Sequence, residues 1–267
     1  MKDDTLILKA TGPDAGTFLQ EHLVCDKDAL ARGYWHCAAC CNPHDKVLAV
    51  LWLIPWPDGI LLRLPRSVAA AALAQLRQHT GARDITLEET ALHFAALAGD
   101  NPDPERHIHH DDGIARLGGI AGLIPVISAQ PLPDALPGEA WYAARIRAGI
   151  AEIHADTAGH YAPHTLHLAP RDHAPHQKKP QHQLATATAP GLASGQRTLY
   201  NTHHKPVGTL LDYGHDTHGT VAQGVIDSHY LNKPLHLRDH DQTLTFHPVT
   251  AKNAQNSRTP INLQETP

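Results

Sequence analysis

Cysteine and histidine carry most of the chemical potential in this chain. Cys37, Cys40 and Cys41 stand close together, with Cys25 a short way before them. Thiolates at C-x-x-C spacing can share a zinc ion or an iron–sulfur cluster. Here there is no second pair, and the segment alternates as a strand, which sends Cys37 and Cys40 to opposite faces. Buried, reduced thiols are the expectation, and no metal site is assigned. Histidine makes up 23 of 267 residues, so pairs at ligand spacing arise by chance: His107/His109/His110, His160/His164/His167, His173/His176, His203/His204 and His215/His218. Of these, His107-Ile108-His109-His110 with Asp111 and Asp112 is the best candidate for adventitious metal binding. Neither H-E-x-x-H nor H-x-E followed by C-x-x-C occurs, which sets aside metalloproteases and zinc deaminases. The phosphate-loop, dinucleotide and nucleophile-elbow signatures are missing too. Spacing alone identifies no enzyme.

The elements that must position these residues follow from pattern. Thr5 to Ala10 alternates as a strand. Asp14 is placed to cap a helix bearing Phe18, Leu19 and Leu23, and Asp26 to Gly33 is a loop. Tyr34 to Cys41 and Val47 to Trp56 form a hairpin around Asn42-Pro43-His44-Asp45. Ile60 to Leu64 is a third strand. Ser67 caps an alanine-rich helix to His79, with Val68, Ala71, Ala72 and Leu76 inward. Asn101 to Asp112 has the composition of a surface insertion, and Glu139 to Ile150 of a helix burying Trp141, Ala144, Ile146 and Ile150. Residues 154 to 190 show little periodicity, as functional or disordered segments do. Short alternating runs from Gln196 to Val249 suggest a small antiparallel β-barrel, and 251 to 267 a mobile tail.

Formal net charge is −5 with neutral imidazoles, and no Lys/Arg block marks a nucleic-acid surface. The longest apolar run, Val47 to Ile54, is far short of the roughly 20 residues of a membrane span. No membrane association, no direct nucleic-acid contact and a cytoplasmic location are therefore expected.

Four stretches carry a resemblance. Gly12-Pro13-Asp14-Ala15, then Phe18-Leu19-Gln20 and Asp26, matches an opening G-x-D-A-x-x-F-L-Q-x-Q-x-x-x-D. Ala38-Ala39-Cys40-Cys41-Asn42-Pro43-His44-Asp45-Lys46-Val47-Leu48-Ala49 is similar to A-A-x-C-N-P-K-G-R-V-L-A. Arg145-Ile146-Arg147-Ala148-Gly149-Ile150 parallels R-I-x-A-G-I-P, and Tyr161-Ala162-Pro163-His164 with His167-Leu168 stands for F-x-P-Q and N-L. Together they resemble the YgfZ-type folate-binding proteins, relatives of the glycine-cleavage T-protein, an aminomethyltransferase. The resemblance implies an α+β fold around a central cavity that takes tetrahydrofolate, ending in the small barrel. It divides the chain into a folate-binding region, 1–190 (subdomains about 1–100 and 101–190), a barrel, 191–250, and the tail. The implied role is support of iron–sulfur cluster assembly or repair, and through it tRNA modification, with iron–sulfur proteins or their assembly factors as partners.

Three departures qualify the transfer. Ala49-Val50 replaces the paired aspartates that serve aminomethyl transfer in the T-protein, so transferase activity is not expected. Gln177-Lys178-Lys179-Pro180-Gln181-His182-Gln183 replaces K-G-C-[FY]-x-G-Q-E, without the reactive cysteine. Arg147 replaces a carboxylate suited to a pterin edge, and a guanidinium suits a glutamate tail instead. By this resemblance the folate-binding residues are Asp26, Asn42, Arg147, His164, His167, Lys178 and Lys179. Asp26 is equally suited to capping a turn, and Asn42 to holding the hairpin. A histidine-rich metal- or pH-responsive module on the same fold is the alternative, and a folate-dependent aminomethyltransferase a lower one.

Overall fold

The computed structural model describes residues 5–81, 83–99, 101, 103, 105–111, 113–168, 180–189, 192, 195–238 and 243–249. Lys178 and Lys179, and the expected tail, lie outside these residues. Among the described residues β-sheet predominates over four α-helices.

The first sheet has the order β2(His36–Cys41)-β3(Val47–Trp56)-β4(Gly59–Pro65)-β1(Thr5–Thr11)-β5(Thr86–Glu89), with every pairing antiparallel. Alternation divides it cleanly. Leu6, Leu8 and Ala10 of β1 meet α1(Ala15–His22) and α3(Arg66–Arg77) on one face, while Ile7, Trp52, Ile54 and Leu61 meet the second sheet on the other. That second sheet runs β6(His93–Ala98)-β9(Leu123–Ser128)-β8(Ile114–Leu117)-β7(Ile108–Asp111). The third runs β11(Thr198–Tyr200)-β12(Pro206–Asp216)-β13(Gly219–Asp227)-β10(His182–Ala189)-β16(His247–Pro248), beside the two-stranded pair β14(Pro234–Leu235) and β15(Leu244–Thr245).

Helix α4(Gly138–Arg147) joins the layers. Trp141 and Tyr142 enter the core shared by the first two sheets, and Ala143 and Ile146 pack on Val221 of the third. The approach to β12 is close enough to require Gly214, where a Cβ would come within 2.2 Å of the Ala143 nitrogen. Only a residue without a side chain fits there.

Several expectations need correction. Asp14 precedes α1 but does not cap it, because its carboxylate accepts the Asp84 N–H at 2.9 Å instead. Residues 27–31, expected as loop, form helix α2(Lys27–Ala31). Helix α3 begins at Arg66 after Pro65, which leaves Ser67 inside it, and it buries Ala69 while Ala71 is exposed. The insertion contributes an edge strand, β7, because its backbone pairs with β8 from Ile108 to Asp111. β10 lies within the stretch that showed little periodicity, since alternating Ala and Thr differ too little in polarity to mark a strand. β10 pairs with β13 along its length, so this sheet uses residues on both sides of 190. Helix α4 ends at Arg147, before Gly149 at φ 73°.

No closed barrel forms among the described residues. β14 and β16 are two residues each and each contains a proline, which cannot donate to a ladder. An isolated bridge, Tyr200 to His236, links β11 to the chain just after β14.

Candidate functional site

The three sheets meet at a buried cluster of charge. Arg63 is the charged member of the otherwise apolar β4, and alternation turns it to the face of Ile7 and Leu61. Its guanidinium lies 4.6 Å from the Phe94 ring centroid, 5.4 Å from Trp52 and 5.6 Å from Trp141, and donates to Thr5 Oγ1 at 3.0 Å. It also forms an ion pair with Glu152, on the chain leaving α4. The second Glu152 oxygen is 3.4 Å from Arg145 Nε, and Arg145 also pairs with Asp212 on β12 and donates to the Ile150 carbonyl at 2.7 Å. His154 Nε2 stands 3.6 Å from the same Asp212 oxygen.

Arg63, Arg145 and Glu152 are at most 1% exposed, and Asp212 is 4% exposed. Burial pushes the Asp212 carboxyl upward, but Arg145, His154 and the Tyr213 N–H outweigh it and hold the group below the usual carboxylate range. Glu152, His154 and Asp212 place one ligand atom each within 4.8 Å of one another, which is a geometry a metal could use. Two guanidiniums already balance the two carboxylates, so a divalent ion would leave uncompensated positive charge in a buried space. The arrangement suits a charge-neutral clamp between layers. Beside it, Gln223 is opposite Asp212 in the β12–β13 register and fully buried, and among the described residues neither amide atom has a hydrogen-bond partner.

The residues nominated from sequence fall elsewhere. Asp26 caps α2 and accepts the N–H groups of Asp28 at 3.0 Å and Ala29 at 3.1 Å. Asn42 Oδ1 accepts from the N–H groups of His44 at 2.9 Å and Lys46 at 3.0 Å, closing the β2–β3 turn with Asp45 at φ 55°. The same turn recurs at Asn201-Thr202-His203-His204-Lys205. There Asn201 Oδ1 accepts from His203 and Lys205, and His204 has φ 56°. Arg147 makes a two-pronged ion pair with Asp216 on β12. His164 is exposed on the 3-10 turn Pro163–Leu166. His167 ends that turn in the left-handed region, and its half-buried ring has an Nδ1 with no partner among the described residues. Burial lowers its pKa below 6.5.

The structure brings one pair of these regions together. Gly159 donates to the Val47 carbonyl and Val47 to the Tyr161 carbonyl, both at 2.8 Å, which docks the chain leading to His164 and His167 beside the Asn42 turn. Among the described residues no hydrogen bond or ion pair joins Asp26, Asn42, Arg147, His164 and His167 to one another. The four cysteines are free thiols. Burial pushes Cys25 and Cys41 up to about 11 and Cys40 to about 12, so they are protonated at neutral pH and poor metal ligands or nucleophiles.

Sequence reasoning missed Arg63, Glu152, His154 and Asp212. Arg63 had a signal, as a lone charge in Gly59-Ile60-Leu61-Leu62-Arg63-Leu64. Glu152 and Asp212 had none, because Arg63 and Arg145 reach them across 89 and 67 residues of chain.

No protein-family model matches the chain. Among solved structures it is similar to the glycine cleavage system aminomethyltransferase T from Bartonella henselae. The identity is 15% and the TM-score 0.69, over 96% of this chain and 86% of that one. At that identity the similarity shows the fold: this is a T-protein-like fold.

Proposed function

We propose that this T-protein-like chain is a folate-binding protein of the YgfZ type that supports iron–sulfur cluster assembly or repair, and thereby tRNA modification, without transferring an aminomethyl group. The observation that carries the reading is the near full-length fold similarity to an aminomethyltransferase combined with a fully buried Ala49-Val50. Two apolar side chains sealed in the core offer nothing to orient or stabilise an amine.

In this reading tetrahydrofolate enters a central cavity between regions 1–100 and 101–190. The third sheet is the remnant of the small barrel assigned to 191–250, and iron–sulfur proteins or their assembly factors are the partners. Among the described residues no helix is long and apolar enough to cross a membrane, in keeping with a cytoplasmic role. Of the nominated contacts, His167 has the most to offer, because its Nδ1 is buried and unpartnered. Asp26 and Asn42 are engaged with backbone N–H groups, and Arg147 would exchange Asp216 for a folate glutamate. Lys178 and Lys179 complete the proposed set.

Titration of tryptophan fluorescence with tetrahydrofolate tests the proposal. Trp35, Trp52 and Trp141 form a buried group in which Trp52 lies 4.5 Å from Trp35 and 5.6 Å from Trp141 between ring centroids, placed to report a ligand near the sheet junction. Saturable quenching that weakens in His167→Ala is expected, and no quenching at high micromolar ligand would overturn the folate assignment. Tetrahydrofolate-dependent ammonia release would restore the aminomethyltransferase reading.

A further inference from the structure

Several described histidines are held by carboxylate oxygen. His107 and His109 share one Asp103 oxygen, at 2.9 and 2.7 Å, and His229 meets Asp227 at 3.0 Å. One contact is of another kind. His236 Nε2 lies 3.4 Å from His204 Nδ1, and among the described residues no other two imidazoles approach nitrogen to nitrogen. The two rings stand at 86° with centroids 5.2 Å apart. They lie on the third sheet, where the Tyr200–His236 bridge is the link between β11 and the chain after β14.

Both rings hang from backbone that hydrogen bonds hold in place. His204, at φ 56°, donates its N–H to the Asn201 carbonyl at 2.9 Å, within the turn that Asn201 Oδ1 closes on the His203 and Lys205 N–H groups. His236 exchanges both backbone bonds with Tyr200, at 2.9 and 3.0 Å. Tyr200 and Asn201 are consecutive, so one short stretch of chain sets both histidines. Fixing the backbone beforehand leaves little beyond side-chain rotation to be ordered when a ligand binds. The sequence displayed His203 and His204 as the pair, whereas the ring that meets His204 is 32 residues further on.

The spacing fits a shared ion better than a hydrogen bond. N–H donors normally approach their acceptors to about 2.7–3.2 Å, whereas a tetrahedral ion about 2.0–2.1 Å from each of two nitrogens holds them about 3.3–3.4 Å apart. We infer that His204 Nδ1 and His236 Nε2 form a two-imidazole binding site for a tetrahedral divalent ion, zinc or cobalt(II), with water in the other two positions. Nitrogen donors select these ions over calcium and magnesium, which prefer oxygen. Each ring keeps its proton on the nitrogen away from the ion. His204 is exposed and His236 half-buried, so water completes the coordination and screens the exposed Lys205 and the Arg238 guanidinium, which lies over the Tyr200 ring. A bound ion ties the Asn201 turn to the chain after β14, along the side of the third sheet that strand pairing leaves unclosed. This site is independent of the folate reading, and either can fail alone.

The test is calorimetric titration of the full chain with zinc chloride in a non-chelating buffer. Wild type should take up one equivalent that His204→Gln and His236→Gln each lose or bind at least about tenfold more weakly, while His203→Gln keeps it. Retention of that equivalent at full strength in His204→Gln or His236→Gln, or its loss in His203→Gln, would overturn the site. A second measurement needs no substitution. In wild type, zinc at about ten times its Kd should slow amide exchange at Tyr200 and His236 about tenfold, because opening the bridge releases the ion. Unchanged exchange at those two amides, or no zinc uptake at high micromolar metal, also rejects it.

Discussion

The two carboxylate clusters contain nearly the same functional groups in opposite settings. Glu152 and Asp212 are buried and face Arg63 and Arg145, while Asp103 and Glu105 lie at a sheet edge and face histidine and tyrosine. In the first, each charge was removed from water and its compensation had to come from the protein. In the second, water still screens the charge, so a compensating cation can be exchangeable. A metal-like distance pattern in the buried cluster is thus poor evidence for a metal, because the two guanidiniums already supply the positive charge.

The largest expected effect comes from unbalancing the buried cluster. Arg145→Met removes a partner from both carboxylates and should cost about 3–5 kcal/mol in urea unfolding. A loss under about 1 kcal/mol would mean that water reaches the cluster and the contrast fails.

The next effect concerns acid. Burial is the main cause that lowers the His36 pKa from 6.5 to about 4, against a partly offsetting contact with the Tyr34 carbonyl. Between those values the unfolded chain takes up a proton that the folded chain refuses, so stability falls as pH drops from about 6.5 toward 4, by about 3 kcal/mol in all. His36→Leu should flatten that limb of a stability-versus-pH curve, and an unchanged slope would assign the acid loss to other groups.

Gln223→Met probes the edge of the buried cluster. Replacing an amide that makes no hydrogen bond should raise stability by about 1–3 kcal/mol. A loss of that size would show that the amide has a partner in solution. Smaller still, Asn42→Ala and Asn201→Ala should each cost about 1 kcal/mol, because both delete the same pair of turn hydrogen bonds. If Asn42→Ala alone also weakens tetrahydrofolate quenching, Asn42 contacts ligand as well as backbone. Asp103→Asn, at the exposed cluster, should change stability by less than about 1 kcal/mol.

Much of the amino-terminal half was legible in the sequence because its signals are local. The β2–β3 hairpin follows from two apolar runs around Asn42-Pro43-His44-Asp45, and, just past the midpoint, α4 follows from the spacing of Trp141 and Ile146, although its end does not. Asp26 was readable as a cap from its type and place, although the short helix behind it was not. β10 escaped because Thr and Ala differ little in polarity, and α3 turned Ala69 inward instead of Ala71 because a run of alanines fixes no unique face.

The histidine abundance, the apolar Ala49-Val50 and the two Asn-x-His-x-Lys turns were set by sequence alone, since each depends on residue identity or on contacts a few positions apart. Which charges became structure and which stayed available was decided only by the tertiary fold. Arg63 meets Glu152, and Arg145 meets Asp212, across 89 and 67 residues of chain. His109 parts from His110 because pairing with β8 imposes the strand's alternation. The field at each charge depends on how much water and which distant partner the folded chain brings to it, and local sequence records neither.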